Sequence, residues 1–316
     1  MSVLQNTEPI KTKDDAKTKI LSLFDGISCA QLAMRNLNVV NYVYYASEID
    51  KHAKNITAHN FPKTINIGDV KSVISDNYKN IYLLIGGSPC QNLSSRGNKK
   101  GLKGDKSSLF YEYIRILKET TPKYFLLENV GSMSLKNRDI ITNTIKNIYR
   151  DVKNIKINSR LFVPQKRNRY YWTNIDFKTD DLPKNMNKKV QDLLEPVVDD
   201  KYYYNEHNKK RSYIINSFNS KPESDLTIAR TLKTMAYTGR ASVDNCYTTI
   251  YKPVGRTNLR RLTPKEFERL QGIPDDYTSI SNQTNRYKTI GNSFTIPVIT
   301  WFLKYIFPEV QPEEVI

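Results

Sequence analysis

The residue of this chain best placed for covalent chemistry is Cys90, in the turn Gly86-Gly87-Ser88-Pro89-Cys90-Gln91. This turn follows the short apolar run 81–85, which predicts a buried strand. A cysteine just after a strand end can project its thiolate into a cleft, where nucleophilic catalysis needs it. Most buried cysteines are inert apolar side chains, but the strand exit marked by Ser88-Pro89 favours a nucleophile here.

Glu128 is a candidate acid for the same chemistry, because it follows the apolar run 124–127 at a second predicted strand end. Desolvation at that position would favour a protonated carboxyl. The alternative is an ordinary helix cap. A thiolate and an acid together suit conjugate addition to a pyrimidine. The thiolate adds to C6, the acid stabilises the charge at N3, and C5 becomes nucleophilic.

The chain begins its first predicted strand at residues 20–24, continues through Asp25-Gly26 and enters a predicted helix over 28–36. A strand, a glycine turn and a helix in this order are typical of the start of an adenosine-binding site. The turn contains one glycine, which disfavours a dinucleotide. Glu48 and Asp69 follow the next strand ends, where they could hold ribose hydroxyls and an exocyclic amine. Acidic strand-end caps are the alternative. An acidic site suits a positively charged ligand, such as the sulfonium of S-adenosylmethionine.

Two arginines alternate in Gln165-Lys166-Arg167-Asn168-Arg169, which we predict to be a strand. Alternate residues of a strand point to one face, so Arg167 and Arg169 could contact a base carbonyl and the neighbourhood of the cysteine. A solvated edge strand is the alternative. Farther on, a Gly291-Asn292 turn is expected to precede a final helix within 295–307.

Apolar runs alternate with helical patterns along most of the chain, which predicts an α/β fold with a doubly wound, mostly parallel sheet. Ligands of such sheets lie beyond the carboxyl ends of the strands. We expect a disordered lead-in (1–17) and a catalytic, cofactor-binding domain (18–172 and 285–316). A smaller, irregular, basic domain (173–284) follows the first part of the catalytic domain.

Other helical signals are local. Residues 111–118 have helical spacing, and Thr263 with Glu266 forms a capping box around a helix that starts at Pro264.

The composition predicts a polyanionic partner, because 49 Lys and Arg against 32 Asp and Glu give a net charge of +17 over 316 residues. Three cysteines and three histidines form neither a disulfide framework nor a metal-ligand spacing, so no metal is expected. No apolar stretch reaches the length of a membrane span, and the N-terminus lacks a signal core. These features predict a cytoplasmic protein that does not bind membranes.

In their order along residues 20–307, these motifs resemble the C5-cytosine DNA methyltransferases, in particular bacterial and phage members. Ser28-Cys29 stands where the family often has more glycine, and Cys29 is a rival thiol that lacks a proline-marked strand exit. The resemblance rests on Phe24-Asp25-Gly26, Glu48, Asp69, Ser88-Pro89-Cys90-Gln91, Glu128-Asn129-Val130, Gln165-Lys166-Arg167-Asn168-Arg169, Arg261-Leu262-Thr263-Pro264, Leu270-Gln271-Gly272-Ile273-Pro274 and Gly291-Asn292-Ser293.

The resemblance implies a Rossmann-like methyltransferase fold, with residues 173–284 as the target-recognition domain. It also implies transfer of a methyl group from S-adenosylmethionine to C5 of a flipped cytosine in double-stranded DNA. Cys90 would bond covalently to C6, Glu128 would act at N3, and Arg167 and Arg169 would support the base. The implied cofactor residues are Phe24, Asp25, Gly26, Ile27, Glu48, Ile49, Asp69, Val70, Pro89, Leu109, Asn292 and Ser293. The implied DNA-binding residues are Gln91, Ser94, Arg96, Lys99, Lys100, Thr231, Leu232, Lys233 and Arg240.

Residues 91–106 would form a loop that closes over DNA. A monomer on DNA in the cytoplasm of a bacterial or phage-infected cell is expected, and a restriction endonuclease partner is left open. Three alternatives are weighed against this reading. A transfer-RNA methyltransferase would carry a Cys-Phe-Thr signature, which the sequence lacks. A catalytically inactive homologue would not need the complete cysteine, glutamate and arginine set. A folate-dependent enzyme of the thymidylate synthase type would not need the adenosine-site pattern.

Overall fold

The structure is a computed structural model that describes residues 17–88, 108–184, 188–205, 229–230, 246–248 and 256–307. Its main sheet has seven strands in the order β3-β2-β1-β4-β5-β8-β6. The first five strands along the chain pair in parallel, and β8 is antiparallel to both of its neighbours. The predicted mostly parallel sheet is therefore confirmed. Its strands are β1 (Thr18–Leu23), β2 (Tyr42–Ser47), β3 (Ile65–Asn66), β4 (Leu83–Gly86), β5 (Tyr124–Val130), β6 (Lys153–Asn158) and β8 (Asn168–Thr173).

Helices cover both faces of this sheet, as a doubly wound fold requires. Side chains of α1, α2, α5, α6 and α7 pack in one apolar cluster, and those of α3 and α4 pack in a second one. Ile20 of β1 belongs to the first cluster and Leu21 to the second, since neighbouring residues of a strand face opposite sides. The helices are α1 (Cys29–Asn36), α2 (Lys51–Asn60), α3 (Ser108–Thr120), α4 (Leu135–Lys146), α5 (Pro264–Gln271), α6 (Gln283–Asn292) and α7 (Ile296–Leu303).

Short strands outside the main sheet come mostly from the region predicted to be a small domain. β7 (Gln165–Lys166) pairs with β10 (Ala229–Arg230). β9 (Tyr203–Asn205), β11 (Cys246–Thr248) and β12 (Arg256–Arg261) form a three-stranded antiparallel sheet in the order β11-β12-β9. The domain boundaries given above stay a prediction.

One strand is longer than predicted, and one local expectation was wrong. β5 passes its predicted end at Glu128-Asn129 and continues to Val130, because antiparallel β8 supplies partners beyond the parallel neighbour β4. Gly291 and Asn292 do not form a turn but end α6, and the chain leaves the helix at Ser293. Tyr287 and Ile290 are buried in this helix, so their packing holds its last turn in place.

The predicted capping box is confirmed. The Thr263 hydroxyl accepts from the Glu266 backbone N–H, and the Glu266 carboxylate accepts from the Thr263 N–H at 2.7 Å. Glu266 also forms a bidentate ion pair with Arg260 at the end of β12, with N–O distances of 2.6 and 2.8 Å. Both side chains of this pair are 1% exposed, so α5 is tied to β12 by a charge pair away from water.

We expect Glu266→Ala to destabilise the protein by about 3–5 kcal/mol, because it leaves the buried Arg260 cation uncompensated. Urea denaturation followed by circular dichroism measures this free energy of unfolding. Asp275→Asn is the control. It breaks the exposed Arg269–Asp275 pair and should cost less than about 1 kcal/mol. Equal costs for the two variants would contradict the assignment of the buried pair as a structural tie.

Candidate active site

The parallel strands bring the predicted site residues to one edge of the sheet. Leu23 of β1 lies opposite Ser47 of β2 and Gly86 of β4, so these three strands end level with one another. The loops that begin at Phe24, Glu48 and Gly87 therefore leave the sheet side by side. The strand ends before Phe24, Glu48 and Gly87 therefore meet at one edge as predicted, whereas Cys90 lies outside the described residues.

Glu48 holds the first of these loops. Its Oε2 accepts from the Gly26 backbone N–H at 2.8 Å, and its Oε1 accepts from the backbone N–H groups of Ile49 and Asp50 at 2.8 and 2.7 Å. Phe24, Gly26 and Ser28 all have left-handed backbone angles, with φ of 56°, 61° and 57°. The tight loop thus depends on a carboxylate contact, since only one of its three left-handed positions is a glycine.

Asp25 faces the interior instead of the open edge. It is 6% exposed, and its carboxylate accepts hydrogen bonds from Tyr44 Oη at 2.6 Å and from the Ser28 hydroxyl. Burial raises the pKa of Asp25 to about 6. Its side chain stabilises the loop through these buried hydrogen bonds. Contact between Asp25 and a cofactor stays a prediction.

A second acidic loop lies next to Glu48. The Ser47 hydroxyl donates to the Gly68 carbonyl at 2.8 Å, which fixes the turn that continues through Asp69 and Val70. Asp69 is exposed and accepts from the Lys71 N–H at 3.0 Å, and Val70 is buried. Ile49 is 70% exposed, so an apolar surface and two carboxylates flank the same edge.

The Glu128 carboxylate is paired with Arg169. The Arg169 Nε lies 2.6 Å from Glu128 Oε1, and both side chains are mostly buried. A Cβ atom added to Gly87 would lie 3.1 Å from Glu128 Oε2 and 2.8 Å from a ring carbon of Phe294. The chain three residues before Cys90 therefore runs directly against the Glu128 carboxylate, and glycine is needed there for lack of space.

Asn129 is a site residue that sequence analysis did not single out. It is 1% exposed, and its side-chain amide donates to the Ser88 hydroxyl and carbonyl at 3.1 and 3.3 Å. It thereby fixes the backbone two residues before Cys90. The signal in the sequence was a polar residue directly after Glu128 in an otherwise apolar strand.

Arg167 and Arg169 have different partners. Arg167 is 3% exposed and donates to the carbonyls of Gly291 and Ser293 at 3.3 and 2.8 Å. Burial, together with the nearby Arg169 cation, lowers the pKa of Arg167 to about 9. Arg167 thus holds the chain around Asn292, whereas Arg169 holds Glu128. A direct role of Arg167 toward a substrate base stays a prediction.

The rival thiol, Cys29, is unsuited to nucleophilic attack. It is 1% exposed, and burial together with the Asp25 carboxylate raises its pKa to about 12. A thiol with such a pKa stays protonated near neutral pH, and the thiolate is the reactive form. The structure therefore argues against Cys29 as an alternative nucleophile to Cys90.

The remaining predicted cofactor residues of the described chain are at the same edge or in elements that adjoin it. Ile27 is buried behind the first loop, and Leu109 is half-buried in the first turn of α3. Asn292 is exposed, and the buried Ser293 donates its hydroxyl to the Ile290 carbonyl at 2.7 Å. The predicted residues that lie outside the described ones are Pro89, Cys90, Gln91, Ser94, Arg96, Lys99, Lys100, Thr231, Leu232, Lys233 and Arg240.

In the ranges of the chain that the structure describes, no cluster of three or more His, Cys, Asp or Glu side chains could hold a metal ion. Within those same ranges, none of the helices has the length and apolar character needed to cross a membrane.

Residues 18–307 match the family model described as C-5 cytosine-specific DNA methylase. The chain is 31% identical to the type II methyltransferase M1.ScrFI of Lactococcus lactis subsp. cremoris, with 92% of this chain and 78% of that protein covered. It is 30% identical to the type II methyltransferase M.SsoII of Shigella sonnei, with 93% and 81% covered.

Solved structures agree on the fold. The methyltransferase EhMeth of Entamoeba histolytica has a TM-score of 0.71 at 19% identity, over 93% of this chain and 99% of that one. A DNMT2 mutant of Spodoptera frugiperda has a TM-score of 0.70 at 21% identity, over 92% and 100%. These likenesses confirm the predicted Rossmann-like methyltransferase fold.

A prediction about pH follows from the buried Asp25. Its pKa is raised from 3.8 to about 6, so between about pH 4 and pH 6 the folded protein keeps a proton that the unfolded chain has released. This lowers the free energy of unfolding as pH rises through that window. Asp25→Asn should lose this dependence, and its stability relative to the wild type should rise by roughly 2–3 kcal/mol from pH 4 to pH 7.

Urea denaturation at several pH values between these limits measures the difference. The control is Asp139→Asn, which changes an exposed aspartate paired with Arg138 and should show no such trend. A stability difference between Asp25→Asn and the wild type that stays constant with pH would contradict the prediction.

Proposed function

Since the chain belongs to the C-5 cytosine-specific DNA methylases and is a DNA (cytosine-5-)-methyltransferase, we propose that it acts on a cytosine flipped out of double-stranded DNA, through a covalent bond between Cys90 Sγ and C6. The observation that carries the mechanism is the close approach of Gly87 to Glu128. The Glu128 carboxyl, which is paired with Arg169, thus lies beside the chain that leads to the proposed nucleophile.

The edge formed by β1, β2 and β3 fits S-adenosylmethionine by its chemistry. The four acceptor positions of the Glu48 carboxylate receive three backbone N–H groups, which leaves capacity on Oε2 for a ribose hydroxyl. Phe24 and the exposed Ile49 offer apolar surface for a purine, and Asp69 offers an acceptor for its amine. When bound there, S-adenosylmethionine would supply the electrophilic methyl group.

The chain's own residues would act on the cytosine ring. The Cys90 thiolate forms a bond to C6, and Glu128 shares a proton with N3 as negative charge develops there. C5 thereby becomes nucleophilic and accepts the methyl group. A base or water then removes the C5 proton, and the S–C6 bond breaks to release Cys90.

Buried polar contacts support this geometry. Arg169 fixes the Glu128 carboxyl, and Asn129 fixes Ser88, so the acid and the segment before the nucleophile are held by adjacent residues of β5. Preorganised polar groups contribute strongly to catalysis because they need no rearrangement during the reaction.

The net charge of +17 supports DNA as substrate through contacts with its phosphates. The predicted DNA-binding residues, the cytoplasmic location, a restriction endonuclease partner and a monomeric state stay predictions.

Cys90→Ser should lower turnover by more than about a thousandfold while DNA binding is kept, because a serine hydroxyl is a far weaker nucleophile than a thiolate. The assay combines labelled S-adenosylmethionine with mixed-sequence duplex DNA and ends in nucleoside analysis and bisulfite sequencing. Cys246→Ser, the same change outside the proposed site, should keep turnover. Full activity of Cys90→Ser would refute the nucleophile assignment. Methylation of transfer RNA but not of DNA would refute the substrate.

Glu128→Gln should lower the rate by about 100- to 10,000-fold, because the amide cannot supply a proton to N3. Single-turnover kinetics with prebound DNA isolate this chemical step. Asp176→Asn, which removes an exposed carboxylate paired with Lys153, is the control and should react at the wild-type rate. A near-normal rate for Glu128→Gln would exclude the proposed acid.

A further inference from the structure

One face of α3 carries three charged side chains, Glu112, Arg115 and Glu119, and Arg115 is the centre of their contacts. Its guanidinium bonds to Glu112 Oε2 through Nε at 2.9 Å and Nη2 at 2.8 Å. Nη1 donates to Glu119 Oε2 at 2.8 Å. These pairs orient the guanidinium, so that its other N–H groups point away from the helix axis toward a neighbouring segment.

That segment is the turn that follows Asp69. Arg115 Nη2 donates to the Val70 carbonyl at 3.3 Å, and Nη1 donates to the Val73 carbonyl at 3.2 Å. Arg115 thus makes four hydrogen bonds, to Glu112, Glu119 and the two carbonyls, and one further ion-pair contact between Nη2 and Glu112. No smaller cation could make the same set, because a lysine ammonium has three donors.

The same turn is held from its other side. Ser47 at the end of β2 donates to the Gly68 carbonyl at 2.8 Å. On the α3 side, the buried Ser75 donates to Glu119 Oε2 at 2.6 Å, which adds a second link next to Arg115. The backbone from Gly68 to Ser75 is thus fixed between the sheet and α3 by named polar contacts.

α3 also adjoins the strand that leads to Cys90. The ring of the buried Tyr113 would lie 3.2 Å from a Cβ added to Gly86, at the end of β4. Leu109, assigned above to the cofactor site, is in the first turn of this helix. One rigid helix therefore contacts the turn of Asp69, carries Leu109 and packs on the strand before the nucleophile.

We propose that Arg115 is a positioning residue for the cofactor: it fixes the Asp69–Val70 turn against α3 and thereby sets the affinity for the adenosyl group. This inference rests on the proposed function, which assigns Asp69, Val70 and Leu109 to the cofactor. Arg115 does not touch the reacting atoms. Its loss should weaken cofactor binding and leave the chemical step intact.

The test compares Arg115→Gln and Arg115→Lys with Arg138→Gln in the full-length protein. Arg138 is a matched control, because it is a helical arginine paired with a carboxylate, and its side chain is 33% exposed against 32% for Arg115. Calorimetry measures the binding of S-adenosylhomocysteine, and steady-state kinetics with duplex DNA measure kcat and the KM for S-adenosylmethionine. Thermal unfolding shows that each variant is folded at the assay temperature.

We expect Arg115→Gln to weaken S-adenosylhomocysteine binding and raise the cofactor KM by about tenfold, since two backbone carbonyls lose their donors. The kcat at saturating cofactor and the KM for DNA should stay within about twofold. Arg115→Lys should recover thermal stability but only part of the cofactor affinity, because its charge is kept and its geometry is not. This variant keeps the test decisive if Arg115→Gln does not fold.

Three results would overturn the inference. Cofactor affinity in Arg115→Lys equal to that of the wild type would show that the fork geometry has no role. Equal loss of cofactor affinity, DNA affinity and kcat would show general destabilisation instead of positioning. A wild-type protein that binds no S-adenosylhomocysteine would overturn the cofactor assignment and this inference together, so the two failures are distinguishable.

Discussion

The parallel register of β1, β2 and β4 is the constraint on which the rest of the site depends. Leu23, Ser47 and Gly86 lie level across these strands, so three loops leave the sheet at one edge. Parallel strands need crossovers, and the helices of these crossovers cover both faces of the sheet and leave that edge open. Because these strands are parallel and end level, the acidic loops and the chain toward Cys90 leave the sheet next to one another.

The loops at this edge are fixed by side chains that bond to backbone groups. Glu48 accepts from three backbone N–H groups, and Asn129 donates to Ser88. Arg167 and Arg115 each donate to two backbone carbonyls. A buried backbone group without a partner is costly, so each of these side chains stabilises one conformation of an otherwise irregular segment. The consequence is an edge whose described loops are each held in one conformation by side-chain contacts.

Helix starts and helix caps could be predicted from the local sequence. The helix predicted over 28–36 is α1, which begins one residue later at Cys29, and Thr263 with Glu266 caps α5. The errors occurred where a distant partner decides the outcome. The extension of β5 to Val130 requires β8, and the helical state of Gly291 requires the packing of α6. α4 and β6 carried no clear pattern, because α4 buries only Ile141 and Ile145 and β6 lies at the sheet edge.

The sequence by itself determined the α/β class, the order of the motifs and the sheet edge at which the strands before them end, because these depend on local periodicity and on general rules for parallel sheets. It also predicted the family, which residues 18–307 confirm. Only the tertiary structure decided the partner of each polar side chain: Asp25 faces Tyr44, Arg169 faces Glu128, and Arg167 reaches carbonyls 124 residues away. Hydrogen bonds require their atoms to lie within about 3 Å of each other, and at such sequence separations that distance is set by the packing of the whole domain.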